Sequence, residues 1–141
     1  MNREYIVNLI NNYTELMDEN RYTEWLDLFC PDGWYSIVPD STQVKHVYVI
    51  KESTSQLVNR VQSYKDDTHR RTLHFVTNVK INQISGEDSV KAAAHVQVFV
   101  DGELNVVGEY RFTIDPVSKL FKEVQLIVHN MPIRSYINLP Y

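Results

Sequence analysis

The residue in this chain whose type and setting best fit chemistry is His74. It lies in the run Thr72 to Ile81, TLHFVTNVKI, whose alternation has the period of a strand. On that reading Leu73, Phe75, Thr77, Val79 and Ile81 form an apolar face, and Thr72, His74, Val76 and Asn78 share the other. An imidazole titrates near neutral pH and moves protons in either direction, which makes His74 the first candidate to meet a substrate. The competing role is a buried, hydrogen-bonded core histidine. Cys30 is the chain's single cysteine. It excludes an intrachain disulfide, a CxxC pair and a Cys/His zinc centre, and no local base marks it as a nucleophile.

The elements that must position His74 follow from periodicity. Tyr5, Ile6, Leu9, Ile10, Tyr13, Leu16 and Met17 recur at helical spacing, with Asn2 as N-cap and Glu4 in the first turn. After Asp18, Glu19 and Asn20, the residues Tyr22, Trp25, Leu26 and Phe29 predict a second helix that ends at Pro31, Asp32 and Gly33. Strands are expected from Trp34 to Val38 and around Val44 to Ile50. A third helix is expected after Ser53 or Thr54, with Leu57, Val58, Val61 and Tyr64 on one face. Beyond Ile81, strands from Ser89 to Val100, Leu104 to Ile114 and Phe121 to Val128 are joined at Asp101-Gly102 and Asp115-Pro116, an antiparallel meander. Helices first and long strands after them predict an α+β layer in one domain, residues 1–141.

Composition narrows the function classes. A net charge of -4 argues against nucleic acid as a partner, since phosphate recognition needs a basic face. Lys65, His69, Arg70 and Arg71 are the only basic cluster, and with Asp66 and Asp67 among them they read as a solvated turn. No apolar run approaches a membrane span, and polar residues interrupt any signal-peptide core at the N-terminus, so a cytoplasmic protein is expected. Neither face of Ser89 to Val100 reads as a solvent face. One is Ala92, Ala94, Val96, Val98 and Val100; the other is Ala93, His95, Gln97 and Phe99. Oligomerisation through the sheet, as a dimer or trimer, is the expected cover.

Met17 to Pro39, MDENRYTEWLDLFCPDGWYSIVP, resembles the signature of the small β subunits of aromatic-ring-hydroxylating dioxygenases. LVNRVQSY from Leu57, RRTLHFVTNVKI from Arg70 and LIVHNMPIRSYINLP from Leu126 continue the resemblance along almost the whole chain. It implies the cone-shaped nuclear transport factor 2-like fold, with N-terminal helices packed on a strongly curved, mostly antiparallel sheet. Scytalone dehydratase, ketosteroid isomerase and SnoaL-type cyclases share that fold, so the fold leaves function open. The stretch between Pro39 and Val47 is shorter than the dioxygenase pattern, which leaves room for a stand-alone enzyme.

Three functions follow from the resemblance. In the first, the chain is a non-catalytic partner in a hetero-oligomer with a large dioxygenase subunit. The iron and the Rieske cluster belong to that subunit, because one cysteine and no paired histidines give this chain no ligands for them. In the second, it is a cofactor-free dehydratase, isomerase or cyclase. Such relatives pair a strand histidine with a helix carboxylate, which implies His74 with Asp18 or Glu19. Tyr13, Tyr35 or Tyr48 would then donate to a substrate carbonyl, and Asn78 and His95 would share the pocket. The third is a binding module for a small apolar or aromatic ligand in the same cone. None of the three puts a metal or a cofactor in this chain.

Overall fold

The computed structural model describes residues 1–39, 46–49, 59, 62–63, 65–66, 69–82 and 89–130, with 39 and 46–49 described by backbone alone. Helix α1 spans Arg3–Asp18. The Asn2 side chain accepts the Tyr5 backbone N–H at 2.9 Å, which satisfies one of the orphan donors of the first turn. Its buried stripe, Ile6, Leu9, Ile10, Tyr13 and Met17, is the face predicted from the spacing. The helix stops where Asn20 takes a left-handed backbone (φ 60°), which lets the Arg21 N–H reach the Leu16 carbonyl at 2.8 Å. Helix α2, Tyr22–Leu26, is a short segment turned back against α1, with Tyr22 and Trp25 buried.

Six strands follow: β1 Phe29–Pro39, β2 His46–Val49, β3 Thr72–Asn82, β4 Val90–Val100, β5 Glu103–Ile114 and β6 Phe121–Val128. They form one sheet in the order β2-β1-β6-β5-β4-β3, antiparallel throughout except for the parallel β1–β6 pair. The α+β class and the packing of the N-terminal helices on a mostly antiparallel sheet agree with the sequence. The expected Asp101-Gly102 turn is present with both residues at positive φ (51° and 81°), the pairing a tight hairpin requires.

Two expectations are corrected. Phe29 does not end helix α2 but begins β1. Pro31, Asp32 and Gly33 lie inside that strand, in a bulge where the register against β6 jumps between Phe29 and Trp34. In β3 the strict alternation breaks at Asn78, which adopts φ 55°. Two residues there, Asn78 and Val79, face one on β4, and the faces exchange. Leu73 and Phe75, predicted to share a face with Val79 and Ile81, are 52% and 49% exposed, while Val79 and Ile81 pack against the core. Of the helix expected after Ser53 or Thr54, residues Asn59, Gln62, Ser63, Lys65 and Asp66 are helical; Leu57, Val58, Val61 and Tyr64 lie outside the described residues.

Rings fill the core between α1 and the sheet. Tyr13 sits at its centre, 5.4–6.2 Å from Trp25, Phe29, Tyr110, Phe112 and Phe121, mostly edge to face. This cluster holds the C-terminal end of α1 at a fixed height over the sheet and therefore fixes where Asp18 meets β3. Gly108 in β5 is equally constrained: a Cβ there would stand 2.3 Å from the Ile127 carbonyl oxygen, so only glycine permits this approach of β5 to β6.

Candidate active site

Asp18 is the last residue of α1, and His74 is the third residue of β3. Their side chains meet, His74 Nδ1 to Asp18 Oδ1 at 2.5 Å. The other carboxylate oxygen accepts the His74 backbone N–H at 2.9 Å, and Oδ1 also accepts the Thr72 hydroxyl at 3.2 Å. An ionised carboxylate only accepts, so three converging donors assign Asp18 as the carboxylate and put the ring proton on Nδ1. In the neutral imidazole the lone pair then sits on Nε2. That atom is buried and has no hydrogen-bond partner among the described residues, and the whole His74 side chain is 1% exposed against 16% for Asp18.

The placement of Asp18 is costly, because a carboxylate in the last turn faces the negative end of the helix dipole and α1 carries no basic residue there. Lys65 offsets it. This lysine, expected in a solvated turn, is buried at 6% exposure, and burial pulls it down to about 8 against the opposing influence of Asp18. Its Nζ donates to the Met17 carbonyl at 3.2 Å and to Thr72 Oγ1 at 2.8 Å, and it stands 5.3 Å from the Tyr22 ring centre. His69, Arg70 and Arg71 are exposed, as expected of a turn.

The other sequence candidates divide by face. Glu19, the alternative to Asp18, turns away and pairs with Arg21 at 2.7 Å; Arg21 also holds Glu24. Tyr13 and Tyr35 are fully buried on the inner side with the dyad. Burial, then the nearby phenols of Tyr110, Tyr35 and Tyr22, push Tyr13 well above its ordinary 10.0. Tyr48 stands opposite Tyr35 in the β1–β2 register, and its side chain lies outside the described residues. Asn78 and His95 do not join His74. The bulge turns Asn78 outward, and it meets His95 Nδ1 at 3.1 Å on the exposed face of the sheet.

The structure adds residues that the sequence reading did not select. Tyr110 OH and Trp25 Nε1 are buried without hydrogen-bond partners among the described residues, as is Ser36 Oγ. Burial, and then Tyr35 and Asp18, push the Tyr110 phenol well above 10.0, so it remains a donor at any ordinary pH. Tyr110 was legible only as an inward position of a β-strand. Its proximity to Asp18 comes from the fold of the sheet around α1. A groove of about 1140 Å3 opens beside the dyad between α1 and the start of β3, with Thr14, Glu15, Phe75 and Phe99 joining Asp18 and His74 in its lining.

Comparison with known proteins gives the same fold. Solved structures similar to this chain include three from two bacteria. One is the β subunit of a provisionally assigned aromatic-ring-hydroxylating dioxygenase from Novosphingobium aromaticivorans (19% identity, 99% of this chain and 96% of that one, TM-score 0.75). Another is the β subunit of benzoate 1,2-dioxygenase from Burkholderia mallei (17%, 92% of each chain, 0.74). The third is a provisionally assigned scytalone dehydratase, also from N. aromaticivorans (17%, 90% and 83%, 0.67). At these identities the likeness is one of fold. No curated protein sequence matches the chain. Among the described residues no helix is long and apolar enough to cross a membrane. The model of the SnoaL-like domain matches residues 2–117, and with the helices, the sheet and the Asp18–His74 pair in place, the chain belongs to the SnoaL-like domain family.

Proposed function

We propose that this protein is a cofactor-independent acid–base catalyst, a dehydratase, isomerase or cyclase that removes a proton next to a carbonyl. The observation that carries this reading is the Asp18-bound imidazole of His74, whose Nε2 is buried and has no partner among the described residues. A buried structural histidine usually has both nitrogens satisfied. An orphaned basic nitrogen in the interior, costly to desolvate, suits a site that a substrate proton completes. Asp18 fixes the tautomer and stabilises the imidazolium formed when Nε2 takes the proton. Tyr110 OH and Trp25 Nε1, both buried donors without partners among the described residues, are the candidates to meet the oxygen on which charge then develops.

The test needs no knowledge of the natural substrate. The protein is incubated in D2O with a panel of cyclic and aromatic ketones and β-hydroxy carbonyl compounds, and deuterium entering the carbon next to the carbonyl is followed by NMR. Catalysed incorporation or elimination is the expected result. Binding of panel compounds without exchange would indicate a ligand-binding module instead.

A second reading, the non-catalytic partner of a large iron–sulfur subunit, is supported by the apolar outer face of β3. Leu73 and Phe75 are half exposed, and Phe75 stacks edge to face on Phe99 at 5.5 Å. Such a strip suits a protein contact, whether with a large subunit or with a second copy of this chain. Retention of an iron–sulfur protein by a tagged copy, in place of a homo-oligomer by light scattering, would favour it.

A further inference from the structure

Lys65 is linked to His74 by a chain of hydrogen bonds with only one possible direction. An ammonium has no acceptor and a carboxylate no donor, so the Thr72 hydroxyl between them must accept from Lys65 Nζ (2.8 Å) and donate to Asp18 Oδ1 (3.2 Å). Asp18 Oδ1 in turn accepts His74 Nδ1–H. We propose that Lys65 is a positioning residue for His74: through Thr72 and Asp18 its ammonium keeps the imidazole singly protonated, with Nε2 free to act as base. This deepens the acid–base role and rests on that reading.

The charges around the chain are few. Asp18 faces Lys65 from α1, Tyr22 lies beneath it from α2, and His74 follows Thr72 on β3; Tyr110 on β5 also feels the Asp18 charge. Of the other charged groups nearby, Glu19 pairs with Arg21, Asp101 with Arg70 and Asp66 with Gln62, while Glu15 and Arg71 line the groove from exposed positions. While Lys65 is charged, Asp18 is balanced. Removing that charge leaves a part-buried carboxylate with the helix dipole against it, and a second proton drawn onto the imidazole replaces the missing positive charge. A base so protonated cannot accept another proton.

Burial brings the loss of the Lys65 proton to about pH 8, which places the effect within reach of measurement. The test is 15N NMR of the histidine rings in the full chain, unchanged and with Lys65→Met or Thr72→Val. In the unchanged protein the His74 signals should show a step near pH 8. In Lys65→Met that step should be absent, and at pH 7 the ring signals should lie closer to the doubly protonated form. Ketone deuteration at pH 7 should then fall several-fold and recover as the pH is raised. In Thr72→Val, which keeps the ammonium and cuts the link, the step should shrink.

His74 signals in folded Lys65→Met that match the unchanged protein would overturn the proposal. If that variant does not fold, an undiminished step in Thr72→Val would do the same. The two readings fail differently. A non-catalytic dyad would show no deuteration in any variant while the His74 response persists, whereas a purely structural lysine would leave deuteration intact and the response missing.

Discussion

Replacing Asp18 by Asn lowers the rate of ketone deuteration by about 10²- to 10⁴-fold, the range that a positioned general base contributes. The substitution keeps the size of the side chain and reverses its chemistry. The amide nitrogen of Asn, brought to His74 Nδ1, is itself a donor. It selects the tautomer in which Nδ1 is bare and the proton sits on Nε2, the nitrogen that must be free. His74→Gln gives a loss of similar size, because it removes the base outright. The two losses should not add in the double variant, since the residues act as a unit. Steady-state deuteration rates of the three variants, with folding checked by near-ultraviolet circular dichroism, provide the measurement.

The second large effect is on stability. Trp25→Ala should cost about 3–5 kcal/mol, the usual penalty for emptying a large aromatic site that cannot collapse. Trp25 is fully buried, with its ring 5.0 Å from Phe29, 5.6 Å from Tyr13, 6.2 Å from Tyr35 and 6.4 Å from Tyr22. Four rings facing one another across the vacated space cannot all move inward. For a chain of 141 residues this corresponds to a fall in melting temperature of roughly 10–20 °C, read by calorimetry. The loss reaches the site as well. Tyr22, which supports Lys65, and Tyr13, which sets the height of α1, both lean on Trp25.

Much of the frame that places the dyad was legible before any coordinates. The Asn2 cap, the apolar stripe from Tyr5 to Met17, the Asp-Gly turn and the long alternating runs each state a local rule that the tertiary structure obeys. His74 and Asp18 were legible only in part. The strand period set His74 on the face opposite Leu73 and Phe75, and family resemblance supplied a carboxylate from α1, with Asp18 and Glu19 left open. The left-handed Asn20 and the pairing of Glu19 with Arg21 decided between them, and neither is a matter of periodicity.

What the sequence hid depends on contacts distant in the chain or on single backbone angles. A run such as TLHFVTNVKI gives no sign that Asn78 will take φ 55° and exchange the faces, so Asn78 and His95 were grouped with His74 when the bulge turns them to the outside. Lys65 lay in a basic, acidic and polar stretch that reads as solvated. Its burial comes from the Met17 carbonyl, 48 residues earlier, and from Thr72. Tyr110 was hidden for the same reason, since its relation to Asp18 exists only once β5 lies across from α1.

The central claim is that His74 carries a free basic nitrogen held ready by Asp18, and 15N NMR of the unliganded protein at pH 7.0, with His74 assigned by comparison with His74→Gln, tests it most directly. Spectra with the proton on Nδ1 and a bare, non-hydrogen-bonded Nε2 are the predicted result. A proton on Nε2, or an Nε2 already engaged in a hydrogen bond, would make His74 a satisfied structural residue and contradict the account.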